Sequence, residues 1–423
     1  MHRVDYPDTL NHFKLNMRYA LVLFLIFPRQ SFSNYYETLP KGVRMALYRN
    51  IRTSNIESSF NHLKREQEYL FKVDLNSKTL ESTNDAANKV FQQIKSISQE
   101  AYEQLTFGEY QAKGDADVNI DGYAAAYGLT NRTTVYGIFP WWKAQINFEV
   151  QRTRQNNYKE VANALENEGD STSAQILAQV TPWLPDVNEN VVQSLIVNTL
   201  NYKPLGSWGG EGIGDIEIGV LHRFTDWKQA GLAFAAGLIL PTGREDDPDN
   251  IVDFGFGDGQ TDLFFEFRGG YQVPNTRWSL NAFTRFTYQF EHTRIMRVVE
   301  SNDFPLGIDK GVFKEKLGNR YDFDGTTNFQ VTPWLGLSTG YVYTHITQAK
   351  YESPFIKANQ INAANTEVHS HSLRGGLHFS TLPYYKSGDF FLPFDTNITA
   401  LSIVGGKNQN SFNRYDIEFR FYF

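Results

Sequence analysis

The sequence predicts an all-β chain, a 12-stranded antiparallel transmembrane β-barrel with helical insertions. Three observations lead there. Long segments place apolar side chains at every second position with charges between them, so each strand has one greasy and one polar face. Tight turns alternate with long polar connections. Aromatic residues make up 15% of the chain, with 33 Phe and 23 Tyr, and gather near strand ends, as the interfacial girdles of such barrels require.

A soluble sandwich would share the period, so strand length and connection parity decide. Strands of globular proteins run about 5–6 residues and bilayer-crossing ones about 9–11. Strands are expected near 41–52, 115–128, 134–150, 213–224, 229–241, 260–273, 277–291, 318–331, 334–348, 368–382, 395–405 and 412–423. In "GDIEIGVLHRF" Ile216, Ile218, Val220 and Phe224 oppose Asp215, Glu217 and Arg223. In "TDLFFEFRGGYQV" Leu263, Phe265 and Phe267 oppose Asp262, Glu266 and Arg268, and in "WSLNAFTRFTYQF" Phe286 and Tyr288 oppose Arg285. In "YDFDGTTNFQV" Tyr321 and Phe323 oppose Asp322 and Asp324. The final "RYDIEFRFYF" sets Tyr415, Ile417, Phe419, Phe421 and Phe423 against Asp416, Glu418 and Arg420. The turns 131–134, 225–228, 274–277 and 332–334 are tight, whereas 151–212, 242–259, 292–317 and 349–367 are long. Short turns on one side of a membrane and long loops on the other give this sorting. An even strand number then puts both ends of the barrel on the short-turn side.

Ahead of the barrel, "ALVLFLIF" (Ala20 to Phe27) is too short to span a bilayer as a helix. With Arg18 before it and "SFS" (31–33) after it, residues 17–33 read as a secretory signal peptide. Residues 1–16 are polar and unlike an n-region, so translation is expected to start at Met17, with 34–423 forming the barrel. Two stretches break the strand pattern. Segment 84–105 spaces Ala87, Val90, Phe91, Ile94, Ile97, Ala101 and Leu105 as one helical stripe, with Ser82 or Thr83 as caps. Within 157–205, Val187, Val191, Leu195 and Ile196 make another, capped by Asp186. These stripes must be buried in the lumen, at the barrel mouth or on each other. A plug or lid is the expected role, because connections this long are usually functional.

The net charge of −7 argues against a nucleic-acid partner, and the absence of cysteine removes disulfides, thiolate metal sites and Cys nucleophiles. No phosphate-binding or dinucleotide motif is present, so no cofactor is expected: "GEGIGD" (210–215) opens a strand, not a helix. An enzyme is not expected either. A barrel phospholipase needs a His and a Ser two apart on one strand face, whereas His369 and His371 share one face and Ser370 and Ser372 the other. By parity Asp215, Glu217, Arg223, Asp262, Glu266, Arg268, Arg285, Asp416, Glu418 and Arg420 point into the lumen. There they either set the selectivity of a pore or neutralise one another in a closed, charge-paired interior. Asp246, Asp247 and Asp249 in "REDDPDNIVDFGFGDGQTD" are weak Ca²⁺ candidates or a bridge to lipopolysaccharide. They lack EF-hand spacing, and a solvated acidic loop is the preferred expectation. His369 and His371 share their face with Leu373, Leu377 and Phe379, which puts them on a lipid-side rim rather than in a metal site.

"GIGDIEIGVLHRF", "GLAFAAGLILPTGRE" and "GFGDGQTDLFFEF", spanning 212–267, together with the lead-in "LPKG" (39–42), resemble a family of Gram-negative outer-membrane proteins associated with the meta-pathway of phenol degradation. That resemblance implies an outer-membrane location and transport of small aromatic or other hydrophobic solutes, with no catalytic residues to carry over. The terminal Phe419, Phe421 and Phe423 are similar to the C-terminal signal read by the outer-membrane assembly machinery. The implied partners are the lipid bilayer, lipopolysaccharide, that machinery and a small solute. The alternative is a non-transporting barrel used for surface interaction.

Overall fold

Strands of alternating character find their lowest-energy arrangement when every backbone group is paired and no edge is left open. A computed structural model shows this arrangement and describes residues 34–81, 85–167, 193–225, 227–300 and 306–423. The extension 1–16, the signal 17–33, the caps Ser82 and Thr83, and the stripe members Val187 and Val191 with cap Asp186 lie outside the described residues.

Twelve strands close into one antiparallel barrel. They are β1 (Arg44–Thr53), β2 (Thr106–Thr130), β3 (Thr133–Arg154), β4 (Ile216–Arg223), β5 (Ala230–Leu240) and β6 (Asp262–Gln272), then β7 (Trp278–Gln289), β8 (Arg320–Thr332), β9 (Leu335–Ile346), β10 (Val368–Ser380), β11 (Phe394–Lys407) and β12 (Asn413–Tyr422). Each is hydrogen-bonded to its neighbours in sequence, and β1 pairs with β12 to seal the cylinder, from Met45 opposite Tyr422 to Thr53 opposite Arg414.

Burial runs opposite to that of a soluble protein. On β12, Tyr415, Ile417 and Phe421 are 52%, 44% and 37% exposed, while Asp416, Glu418 and Arg420 are 3%, 2% and 6% exposed. The same inversion holds on β6, where Phe265 and Phe267 are exposed and Glu266 and Arg268 buried, and on β8 with Tyr321 and Phe323 against Asp322 and Asp324. An outer apolar band of this kind is stable only against acyl chains. Across strands its aromatics pair, as in Phe286–Tyr321 at 5.1 Å and Trp278–Phe329 at 4.6 Å between ring centroids.

The parity of connections holds for most of the barrel but reverses near its end. The β10–β11 connection, on the short-turn side, carries a helix over Leu382–Ser387, whereas the β11–β12 connection on the long-loop side is brief. That brief connection is completed from elsewhere: Gln409–Ser411 pairs with Ser58–Phe60, which pairs with Glu66–Glu68. Two other long loops supply His292–Arg297, Lys310–Lys316 and Lys350–Glu352, a second three-stranded sheet. It has its own core of Met296, Phe313, Leu317, Tyr351 and Ala358.

The chain divides into two units, the barrel unit (residues to 69, 115–146 and 208–423) and a smaller one of 70–114 and 147–207. In the smaller unit Leu70–Asn76 pairs with the start of β2. Its described part also holds the end of β3, helices α1 (Asp85–Ile97), α2 (Gln99–Gln104) and α3 (Tyr158–Asn167), and short helical turns at Ser77–Glu81 and Leu195–Thr199. Ser98 caps α2 by accepting the Ala101 N–H at 3.1 Å. Part of the first stripe is buried here: Phe91 and Ile94 of α1, Ala101 of α2 and Leu105 pack with Tyr102, Phe107 and Val161 of α3 in one cluster, which includes neither Leu195 nor Ile196 of the second stripe. Both insertions therefore contribute to a single small core.

Candidate functional site

The inward faces of the barrel strands carry acids and arginines in ladders, and each ladder closes on itself. Arg285 of β7 donates to Glu217 of β4 at 2.9 Å and to Glu266 of β6 at 3.1 Å. Arg268 donates to the other Glu266 oxygen at 2.6 Å, and Tyr136 donates to Glu217 at 3.1 Å. The Arg285 guanidinium also lies over the Phe264 ring, 3.9 Å from its centroid. Around β12, Asp416 takes Arg414 at 2.8 Å and Arg49 as well, while Glu418 takes Arg420 at 2.6 Å and the Asn397 amide at 3.0 Å. A third group joins β8 to β10, two strands apart: Arg374 binds Asp324 through both nitrogens at 2.6 and 3.0 Å. Arg320 and Thr344 hold Asp322, each at 2.7 Å.

Seven of the ten residues expected in the lumen thus sit in the walls with partners: Glu217, Glu266, Arg268, Arg285, Asp416, Glu418 and Arg420. Asp262 is buried at the start of β6. Asp215 and Arg223 have different roles. Asp215 accepts the Gly243 N–H at 2.9 Å and the Asp258 N–H at 3.3 Å, clasping the 241–261 loop. Arg223 sits at the short-turn rim and donates to the Asn131 carbonyl at 3.2 Å. Arg49, Arg414, Arg320 and Arg374 were missed as lumen residues, although each falls on the polar face of its strand.

The walls are not polar all round. On β2 to β6, inward-facing Tyr136, Ile138, Leu221, Ala233, Ala235, Ile239 and Phe264 form an apolar cluster, joined by Ala124 and Ala126. A cavity of about 560 Å³ at the short-turn end is lined by Ala124, Ala126, Tyr136, Ile138 and Leu221 from this strip, with Met45 and Leu47. Arg268, His378, Asp395 and Arg420 also line it.

The segment before β1 enters this cavity. Tyr35 is buried, its N–H donates to Asn281 at 3.0 Å, and its hydroxyl bridges Asp324 at 3.0 Å and Thr326 at 2.8 Å. Its ring packs on Phe283. Behind it, Leu39 donates to Thr134 at 2.8 Å, and Gly42 and Val43 exchange hydrogen bonds with Gly128. A Cβ on Gly128 would stand 2.0 Å from the Pro40 carbonyl oxygen, so only glycine lets the segment lie there. No period marks this segment, which is why sequence reasoning placed nothing in the lumen from it.

The acidic loop is not solvated, contrary to expectation. Asp246 and Asp253 are buried among Val252, Phe254 and Phe256. Arg294 binds Asp246 at 2.8 Å, Arg297 and Lys310 bind Asp249 at 2.7 and 2.8 Å, and Arg244 clamps Asp253 at 2.7 Å. Asp247 accepts the Asp249 N–H at 2.9 Å. Side-chain cations thus occupy the Asp246 and Asp249 carboxylates that a Ca²⁺ ion would use. Deeper in the loop, burial and then the Asp215 charge push the Asp258 carboxyl up to about 7, and burial pushes Asp215 up to about 6.

No protein-family model matches the sequence, and no curated protein matches it. Among solved structures, an outer-membrane channel from Pseudomonas putida F1 aligns over 92% of this chain and 98% of its own, at 11% identity and a TM-score of 0.51. The toluene transporter TbuX of Ralstonia pickettii covers 91% of this chain and 90% of its own at 9% identity, with a TM-score of 0.36. The toluene transporter TodX of Pseudomonas putida covers 92% of each at 10% identity and 0.31. The last two scores are too low to bear on the fold. The first shows it: the chain has the fold of a bacterial outer-membrane channel.

Proposed function

We propose that this protein is an outer-membrane channel for small hydrophobic or aromatic solutes, gated by residues 34–43. The observation that carries the reading is the cavity lined by apolar side chains together with charge-paired ones, with Tyr35 in its lining. A greasy strip offers an apolar solute a path without desolvation cost, while the neutralised ladders leave little net field to hold ions. The similar structure from Pseudomonas putida F1 is an outer-membrane channel, which supports the assignment. The resemblance of 212–267 to the phenol meta-pathway family supports an aromatic solute. On this reading the outer band meets the bilayer and lipopolysaccharide, and exposed Phe423 serves assembly.

The test is flux through the purified protein in planar bilayers and liposomes. Removing 34–39, or Tyr35→Ala, raises conductance several-fold and speeds uptake of a monoaromatic probe; unchanged conductance in both removes the gate. Failure of wild type and variants alike to pass any solute favours the second reading, a closed barrel of structural or surface-interaction use, for which the paired lumen charges speak. We also propose that the small helical unit acts as a lid, on the ground of connection length. Unaltered conductance after deleting 157–205 eliminates it.

A further inference from the structure

We propose that His345, Glu367 and His369 form a zinc-binding site on the outer face of the barrel, where β9 and β10 meet the 347–367 loop. The inference is independent of whether the barrel transports anything. His345 and His369 are directly opposed across the β9–β10 ladder. Their rings stack at 4.4 Å between centroids and 22° between planes. One ligand atom from each of the two imidazoles and from Glu367 lies within 4.8 Å of the others. Ligands around a tetrahedral zinc stand about 3.4 Å apart, from Zn–N near 2.0 Å and Zn–O near 2.1 Å. The three side chains are partly exposed, and binding requires the two rings to turn out of their stack so that their lone pairs converge on the ion.

The surroundings hold these groups ready. Lys407 binds Glu367 through Oε2, which leaves Oε1 facing His369 Nε2 at 3.4 Å. On its far side His369 Nδ1 is 2.8 Å from the Tyr343 hydroxyl. With Tyr343 accepting from Nδ1–H, Nε2 carries the lone pair that a metal takes, the outer-shell arrangement usual for ligating histidines. His345 Nδ1 is buried and has no hydrogen-bond partner among the described residues. Two neutral nitrogens and one carboxylate oxygen suit a borderline ion such as Zn²⁺ better than Ca²⁺ or Mg²⁺, which prefer oxygen. The fourth position is left to water. A bound ion ties both ends of the 347–367 loop together, since His345 precedes the loop and Glu367 closes it.

The sequence placed His369 and His371 on one strand face and expected no metal between them; the structure gives His369 a different neighbour, His345, directly opposite on β9. His371 has the same kind of tyrosine contact, Tyr341 at 2.6 Å from Nδ1, but among the described residues it belongs to no cluster of three potential ligands. That makes it an internal control. Titration of the full barrel in detergent micelles with Zn²⁺ alone, followed calorimetrically, should show one saturable site. His345→Ala and His369→Ala should each weaken it tenfold or more, Tyr343→Phe about tenfold, and His371→Ala not at all. Heat-modifiable gel migration verifies that each variant is folded. X-ray absorption of the wild-type complex should show imidazole scattering in the first shell, a readout that needs no variant. Absence of saturable binding, equal affinity in the His345→Ala/His369→Ala double variant, or a first shell without imidazole overturns the proposal.

Discussion

Arg374 and Asp324 show what an individual residue does in this interior. Both side chains are essentially inaccessible, and together with Tyr35 and Thr326 they make one hydrogen-bonded knot. Arg374→Ala strands a buried carboxylate, which costs about 3–5 kcal/mol. The Arg374→Met/Asp324→Leu double variant should lose much less, because no charge is left without a partner. Urea unfolding in micelles measures both. His292 tests the opposite side of the electrostatics, outside the strands. Burial pulls its imidazole down, but Glu245 and Glu315, 3.5 and 3.7 Å away, outweigh this and the net shift is upward. Its stabilising contribution is therefore complete below about 6.5 and is lost as pH climbs through the raised value. Asp258 acts in the same direction, since a carboxyl pushed up to about 7 penalises the fold progressively between roughly pH 4 and 7. Protection of 241–261 and 290–319 against hydrogen exchange, referenced to the intrinsic rate at each pH, should be greater at pH 5 than at pH 8. His292→Gln and Asp258→Asn should each flatten part of that difference; an identical profile in both would refute the assignment.

At the scale of the strand, the decisive property is which way a face looks. Ile417 and Glu418 are chain neighbours on β12, yet one meets lipid and the other the ladder of Arg49 and Arg420. Ile417→Arg should cost about 2–4 kcal/mol in a lipid bilayer if it lies near the midplane. Ile417→Val should be near neutral. Folding titrations into vesicles separate the two. This face preference is also what made the strands legible. All twelve were readable because a barrel strand must alternate over its whole crossing, and no tertiary contact can excuse a charge on the lipid side. Connections obey no such rule. The brief 408–412 link departed from the expected parity because a neighbouring loop supplied its backbone partners, whereas the helix Leu382–Ser387 closes its backbone bonds within its own connection.

For the whole molecule, the fold was open to sequence reasoning and the site only in part. The inward position of Glu266 or Asp416 followed from parity alone. Which arginine meets which acid depended on register and on the barrel's closure, as the union of Asp324 with Arg374 across an intervening strand illustrates. Tyr35 was invisible for a different reason, since an irregular segment leaves no periodic trace. The paired histidines needed two strands aligned before His345 could be placed beside His369.

Because β12 seals against β1, no chain that lacks β12 can complete the cylinder. A product clipped before residue 413 would present two bare ribbons, one at each margin, and would be a template for sticking to its own kind. Copies lacking β12 should clump rather than insert into vesicles, which light scattering beside a folding titration would show.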